Sequence, residues 1–180
     1  MEIELSRGRM RDWRPSDAES LLKHANNLNV SRNLRDAFPY PYTADDATRW
    51  LQHNVGREPI TNFAIEIDGE AAGSVSLRLQ SDIYGRVAEI GYWIAEPHWG
   101  KGIASEAARA MTGYGFARFP LDRIEAEVVE RNTASMRVLE KAGYRLEGRL
   151  RQRITKAGET MDAMIYAILR SGWADSRWGT

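Results

Sequence analysis

Two rhythms run along this chain. In some stretches apolar and polar residues alternate; in others apolar residues return every three or four positions. The first pattern marks a half-buried strand and the second a helix face. Residues 2–14 read as a first strand with exposed arginines. Pro15-Ser16-Asp17 opens a helix to about Asn27, with Leu21, Leu22 and Ala25 on one side. Residues 26–42 lack periodicity and hold Pro39 and Pro41, so they read mostly as loop. Thr43 caps a second helix to about Val55, with Asp45 and Asp46 in its first turn. Residues 62–67 and 71–79 are strands joined through Asp68-Gly69, a hairpin dipeptide. Residues 87–95 are the fourth strand.

From Gly102 to about Phe119, Ile103, Ala107, Met111 and Tyr114 recur at helical spacing. Residues 122–130 alternate charged and apolar side chains, as a fifth strand does. Residues 133–142 form a short helix ended by Gly143. Residues 145–154 and 161–169 make a final hairpin around Lys156-Ala157-Gly158. The order is strand, two helices, three strands, helix, strand, helix, two strands. That succession predicts an α/β architecture with a mixed sheet.

Composition narrows the class. The chain has 180 residues, which suits a single domain over 1–180, at roughly 100–200 residues per domain. A hydrophobic content of 43% is globular and excludes a disordered chain. Basic and acidic residues are equal at 25 each, which removes the basic excess of a generic nucleic-acid binder. The absence of cysteine removes disulfides, thiolate metal sites and a cysteine nucleophile, and it suits a reducing cytoplasm. The apolar run from Ala163 to Leu169 is far shorter than the ~20 residues of a membrane helix. Met1-Glu2-Ile3-Glu4-Leu5 lacks the charged head and apolar stretch of a signal peptide. A soluble cytoplasmic protein is expected, with no membrane and no direct nucleic-acid partner.

Candidate chemistry sits where the fourth strand ends. Trp93-Ile94-Ala95 leads through Trp99-Gly100-Lys101-Gly102 into a helix that begins with Ile103 and Ala104. Helix N-termini offer free N–H groups and partial positive charge, a seat for phosphate. Glycines let the backbone approach an anion, and Lys101 adds charge. The turn matches neither a nucleotide-triphosphate loop nor a dinucleotide fingerprint. By itself it fits a phosphate loop and an ordinary tight turn equally well. His24 and His53 have no metal-ligand spacing, so no metal is expected.

A second motif begins as the fifth strand ends: Asn132-x-x-Ser135-x-x-Val138-Leu139-x-Lys141-x-Gly143-Tyr144. Together with Trp99-Gly100-Lys101-Gly102-Ile103-Ala104, it resembles the paired motifs of the GNAT N-acetyltransferases. The two motifs and Phe38-Pro39-Tyr40-Pro41-Tyr42-Thr43 resemble the RimJ/RimL-like branch of ribosomal-protein N-acetyltransferases. The resemblance covers nearly the whole chain. It implies a mostly antiparallel central sheet, splayed at the fourth and fifth strands and flanked by helices. It implies acetyl-CoA as cosubstrate, with the pyrophosphate on the N–H groups of Gly100, Lys101, Gly102, Ile103 and Ala104. The pantetheine arm would pair with Trp93, Ile94 and Ala95 as an added strand. Asn132 would contact the pantetheine, with Ser135 one turn further on.

Acetyl transfer is a direct attack by a neutral amine on a thioester, so a base is useful. Glu89, inside the fourth strand, is the candidate base. A backbone N–H near Ile94 is the candidate oxyanion donor. Many members of the superfamily carry a tyrosine at the position of Leu139, which cannot protonate a thiolate. Ser135 is the substitute candidate, and departure of the thiolate with protonation by solvent is the other route. Each residue also has a plain structural reading: Glu89 as an ion-paired strand residue, Ser135 and Asn132 as helix-capping groups, His98 as a loop histidine. Arg149, Arg151 and Arg153 alternate and so line one strand face, solvated or facing a ligand.

The acceptor is an amine, either a protein N-terminus or a small molecule such as an amino acid, polyamine or antibiotic. A non-catalytic acyl-CoA-binding module and a nucleotide-binding protein that shares the turn are the other classes. The chain is expected to be a monomer or a homodimer.

Overall fold

The computed structural model describes residues 1–174. The described residues form β1 (Glu2–Leu5), β2 (Gly8–Arg11), α1 (Ala18–Ala25), α2 (Leu28–Ser31), α3 (Ala44–Asn54), β3 (Asn62–Ile67), β4 (Glu70–Leu79), β5 (Val87–Ile94), α4 (Ile103–Arg118), β6 (Arg123–Val129), α5 (Thr133–Lys141), β7 (Arg145–Lys156), β8 (Glu159–Leu169) and α6 (Arg170–Ala174). The strands are hydrogen-bonded in the order β1-β2-β3-β4-β5-β6-β8-β7. The pairs from β1 to β4, and those of β8 with β6 and β7, are antiparallel, whereas β5 and β6 run parallel. This is the expected mixed sheet. The parallel register runs from Val87↔Arg123 to Glu89↔Glu125 and ends there. β5 continues through Ile90 and Gly91 and β6 through Ala126 and Glu127, so the fourth and fifth strands of the sequence reading diverge at this point.

Three expectations need correction. Residues 2–14 are not one strand but the β1–β2 hairpin. The reversal occurs because the carboxylate of Glu106 accepts from both the N–H and the hydroxyl of Ser6, at 2.9 and 2.7 Å. Gly8 then takes φ 103°, where a side chain would collide with the Glu66 carbonyl. The helix expected from Pro15 starts as a 3-10 turn at Pro15–Asp17, and the α-helix runs only over Ala18–Ala25. The stretch 26–42 contains α2, because the Asn27 side chain accepts from the N–H of Asn29 and Val30.

The chain divides into two compact units. The first is Met1–Ser76 with Tyr92–Ala107. Its core holds Trp13, Leu21, Val30, Tyr42, Leu51 and Trp93, with the Trp93 ring 5.4 Å from that of Phe38. A buried ionic knot ties its strands to α1. Arg11 donates to both oxygens of Asp17, at 2.7 and 2.8 Å, and to Glu66 at 2.5 Å, and Glu66 also accepts from Arg9 at 2.6 Å.

The second unit is Leu77–Gly91 with the residues from Ala108 onward. Gly115 lets α4 approach Leu77 and Ile124: an added Cβ would lie 2.5 and 3.1 Å from their methyl carbons. Thr112 and Tyr144 share a buried hydroxyl–hydroxyl bond at 2.8 Å. Arg170 caps the end of α4, donating to the carbonyls of Phe116, Phe119 and Leu121. The single domain expected over 1–180 extends past the described residues, since 175–180 lie outside them. Among the described residues no helix is long and apolar enough to cross a membrane.

Candidate functional site

In the first unit, β5 ends against β4. The Ala95 N–H donates to the Ala72 carbonyl at 2.8 Å, and the Trp93 carbonyl faces Gly73, where a Cβ would sit 2.6 Å from it. Backbone groups alternate sides along a strand. Trp93 and Ala95 therefore turn theirs toward β4, and Ile94 turns its N–H and carbonyl away. That carbonyl is taken: the Trp99 indole Nε1–H donates to it at 2.6 Å.

A short 3-10 turn, Glu96–His98, carries the chain from the strand to the glycines. Glu96 is held by the side-chain amides of Asn27 at 2.7 Å and Asn29 at 2.9 Å. Gly100 and Gly102 take φ 74° and 83°, in the left-handed region that favours glycine, with open space around both. The first bonds of α4 run from the N–H groups of Ser105 and Glu106 to the Gly102 carbonyl, at 3.0 and 3.1 Å. Ahead of them, among the described residues, the N–H groups from Gly100 to Ala104 meet no backbone carbonyl. Lys101 is exposed beside them. This is the donor set that an anion needs at a helix start. His98 lies half-buried, its ring 6.3 Å from that of His24. Burial, then the charges of Lys101 and His24, hold its pKa below the usual value. Neutral imidazole is therefore its form near pH 7.

The remaining expected residues lie in the second unit. Glu89 is half-buried in β5 and ion-paired with Arg78. Asn132 caps α5, its side-chain oxygen accepting from the Ser135 N–H at 3.2 Å. Leu139 is fully buried. The two tyrosines nearest to it in role are engaged: the Tyr144 hydroxyl with Thr112, and the Tyr166 hydroxyl with Glu140 at 3.0 Å. Burial, then Glu140, raises the Tyr166 pKa.

The arginine ridge is broken by a bulge. The β7–β8 register shifts between Leu150 and Ile154, with Gln152 at φ 53° and its N–H on Asp162 at 2.8 Å. Arg149 pairs with Asp162 and Glu130, and Arg153 with Glu127. Arg149 and Arg153 are thus ion-paired on this strand. Among the described residues there is no group of three or more His, Asp or Glu able to hold a metal ion.

The family model for an acetyltransferase (GNAT) domain matches residues 7–145. The chain belongs to the GNAT acetyltransferase family. Among curated GNAT relatives, the uncharacterized N-acetyltransferase p20 of Bacillus licheniformis is 37% identical over 105 residues, 58% of each chain. The matched stretch thus spans little more than half the length of that relative. The uncharacterized N-acetyltransferase YnaD of Bacillus subtilis is 30% identical over 96% of this chain and 99% of its own. The spermidine N(1)-acetyltransferase of Escherichia coli is 28% identical over 87% of this chain and 84% of its own. A GNAT acetyltransferase structure from Bacillus anthracis superposes with a TM-score of 0.80 at 30% identity, covering 94% of this chain and 98% of that one. RimL, a ribosomal-protein alpha-N-acetyltransferase in complex with coenzyme A, shares the fold at a TM-score of 0.81 and 22% identity, with coverage of 94% and 98%.

Three features of this GNAT chain were not found from sequence. The Trp99–Ile94 bond and the Asn27/Asn29–Glu96 clasp are side-chain geometry that no motif states. Gly73 carried a signal, an isolated glycine inside a strand pattern, which marks close approach of another backbone.

Proposed function

We propose that the protein is an acetyl-CoA-dependent N-acetyltransferase, with residues 1–180 acting as one N-acetyltransferase domain. The observation that carries this reading is the strand–turn–helix of the first unit, in a chain of the GNAT family. The Ile94 peptide turns away from β4, and from six residues later a run of N–H groups meets no backbone carbonyl among the described residues. The open space at Gly100 and Gly102 fits a ligand that lies against main chain. Gly100, Lys101, Gly102, Ile103 and Ala104 would hold the pyrophosphate. The end of β5, from Trp93 to Ala95, would receive the pantetheine arm, and Ile94 is its member with a backbone N–H to offer. By the family resemblance, Asn132 would contact the pantetheine, with Ser135 one turn further on.

Bound acetyl-CoA supplies an activated acyl carbonyl that a neutral amine attacks directly. The Ile94 N–H would stabilise the oxyanion. Glu89, ion-paired with Arg78, would take the amine proton through water. Ser135 is the candidate donor of a proton to the departing sulfur, with water as the alternative donor.

For the acceptor, we propose a protein N-terminal α-amine, as in the RimJ/RimL-like branch. The shared fold with RimL and the Phe38-Pro39-Tyr40-Pro41-Tyr42-Thr43 stretch support it. A polyamine is the second reading, supported by the similarity to a spermidine acetyltransferase over 87% of the chain. Release of CoA thiol, followed colorimetrically with acetyl-CoA plus either short peptides with free N-termini or spermidine, separates them. Turnover with peptides alone supports the first reading and turnover with spermidine alone the second. Acetyl-CoA binding with no transfer to either would favour a binding module.

A further inference from the structure

The Trp99 indole N–H bonds back across the turn to the Ile94 carbonyl. Trp99 is 47% exposed, so burial covers only part of the residue. What sets the direction of its indole N–H is one hydrogen bond at 2.6 Å to the Ile94 carbonyl, five residues back and across the turn. The rest of the turn is held by short backbone bonds, from the His98 N–H to Ala95 and from the Trp99 N–H to Glu96. After Trp99 come two glycines with positive φ, a segment with little stiffness of its own.

We infer that Trp99 is a positioning residue that ties the glycine turn to the end of β5 through its indole N–H. The inference rests on the acyl-CoA reading of this same turn. Its physical consequence is twofold. The tie keeps the run of N–H groups from Gly100 to Ala104 at a set distance from the Ile94 peptide, so one ligand can span both without first ordering the turn. It also engages one of the two lone pairs of the Ile94 carbonyl, which turns away from β4. The Ile94 N–H is therefore the group this residue offers most freely, which favours a carbonyl of the ligand over an amide N–H. The Glu96 clasp by Asn27 and Asn29 braces the other side of the turn.

The test compares Trp99→Phe, which keeps a ring and removes the donor, with Trp99→Arg, which removes the ring and keeps a long donor. Acetyl-CoA affinity is measured by calorimetry on the full chain, and unliganded melting serves as the folding control. The exposed ring predicts that both variants fold. Trp99→Phe should bind acetyl-CoA about threefold to tenfold more weakly, the share of one neutral hydrogen bond. Trp99→Arg should recover most of that loss. Wild-type affinity in Trp99→Phe overturns the tie, as does an equal loss in Trp99→Arg, which would mean that the ring acts by packing. If the unsubstituted protein fails to bind acetyl-CoA, the functional reading and the tie both fall. If it binds and Trp99→Phe matches it, the tie alone falls.

Discussion

Gly73 is the residue on which the end of β5 rests. A methyl group there would lie 2.6 Å from the Trp93 carbonyl and 2.9 Å from Ile94 Cδ1. Backbone on one side and a buried side chain on the other leave nothing free to give way. Gly73→Ala should therefore cost about 1–3 kcal/mol of stability, the usual range for overpacking. Because the displaced atoms belong to the Ile94 peptide, it should also weaken acetyl-CoA binding. Urea unfolding and a ligand-induced melting shift measure the two effects separately; loss of stability with unchanged affinity would detach Gly73 from the site. Glu89 makes a second prediction at this scale. Ion-paired with Arg78, it is the proposed acceptor of the amine proton. Glu89→Gln should lower kcat about 100-fold, within the span of general-base catalysis, and leave acetyl-CoA affinity intact. An unchanged kcat would return Glu89 to the role of strand ion-pair partner.

At the scale of elements, α5 was legible and the β1–β2 hairpin was not, for a physical reason. The limits of α5 are set by local chemistry: Asn132 caps its first turn, and Gly143 at φ 96° lets the chain leave it. The reversal at Ser6 is set by a carboxylate of α4, a hundred residues away, which no local pattern encodes. The β7 bulge is similar, since Asp162 of β8 holds the Gln152 N–H and so defeats the alternation of the arginines. The glycine turn stood between these cases. Its glycines and lysine were plain in the sequence, but which peptide of β5 faces outward became visible only through Ala72 and Gly73 of the neighbouring strand. The capping role of Asn132 can be separated from its proposed ligand contact. Asn132→Ala should cost about 1 kcal/mol, and Asn132→Asp, another good cap, much less. If both variants bind acetyl-CoA as tightly as the parent, Asn132 serves only the helix.

For the whole molecule, the order of elements and the mixed sheet were readable because periodicity reports burial, and burial follows the core. The ionic knot of Arg9, Arg11, Asp17 and Glu66 was not readable, because it joins residues far apart in sequence. It predicts how folding responds to acid. Burial pushes the Glu66 carboxyl up, but hydrogen bonds from Arg11 and Arg9 outweigh it and hold the pKa below the ordinary value. Hydrogen bonds and neighbouring arginines depress those of Asp46, Asp122 and Asp162 as well. A folded pKa below the unfolded one means that the stabilisation is complete above the unfolded value, about 4, and is lost as pH falls through the folded value. The melting temperature should therefore hold from pH 7 to about 5 and drop steeply below about 4. Glu66→Gln leaves the buried Arg11 guanidinium with Asp17 as its remaining anion, so it should cost about 3 kcal/mol at neutral pH, the scale of breaking a buried pair. Having no carboxyl to protonate there, the variant should also lose less of its remaining stability between pH 5 and 3. A variant whose acid limb parallels that of the parent would show that Glu66 stays protonated or unpaired in the fold, and that the acid response comes from the exposed carboxylates instead.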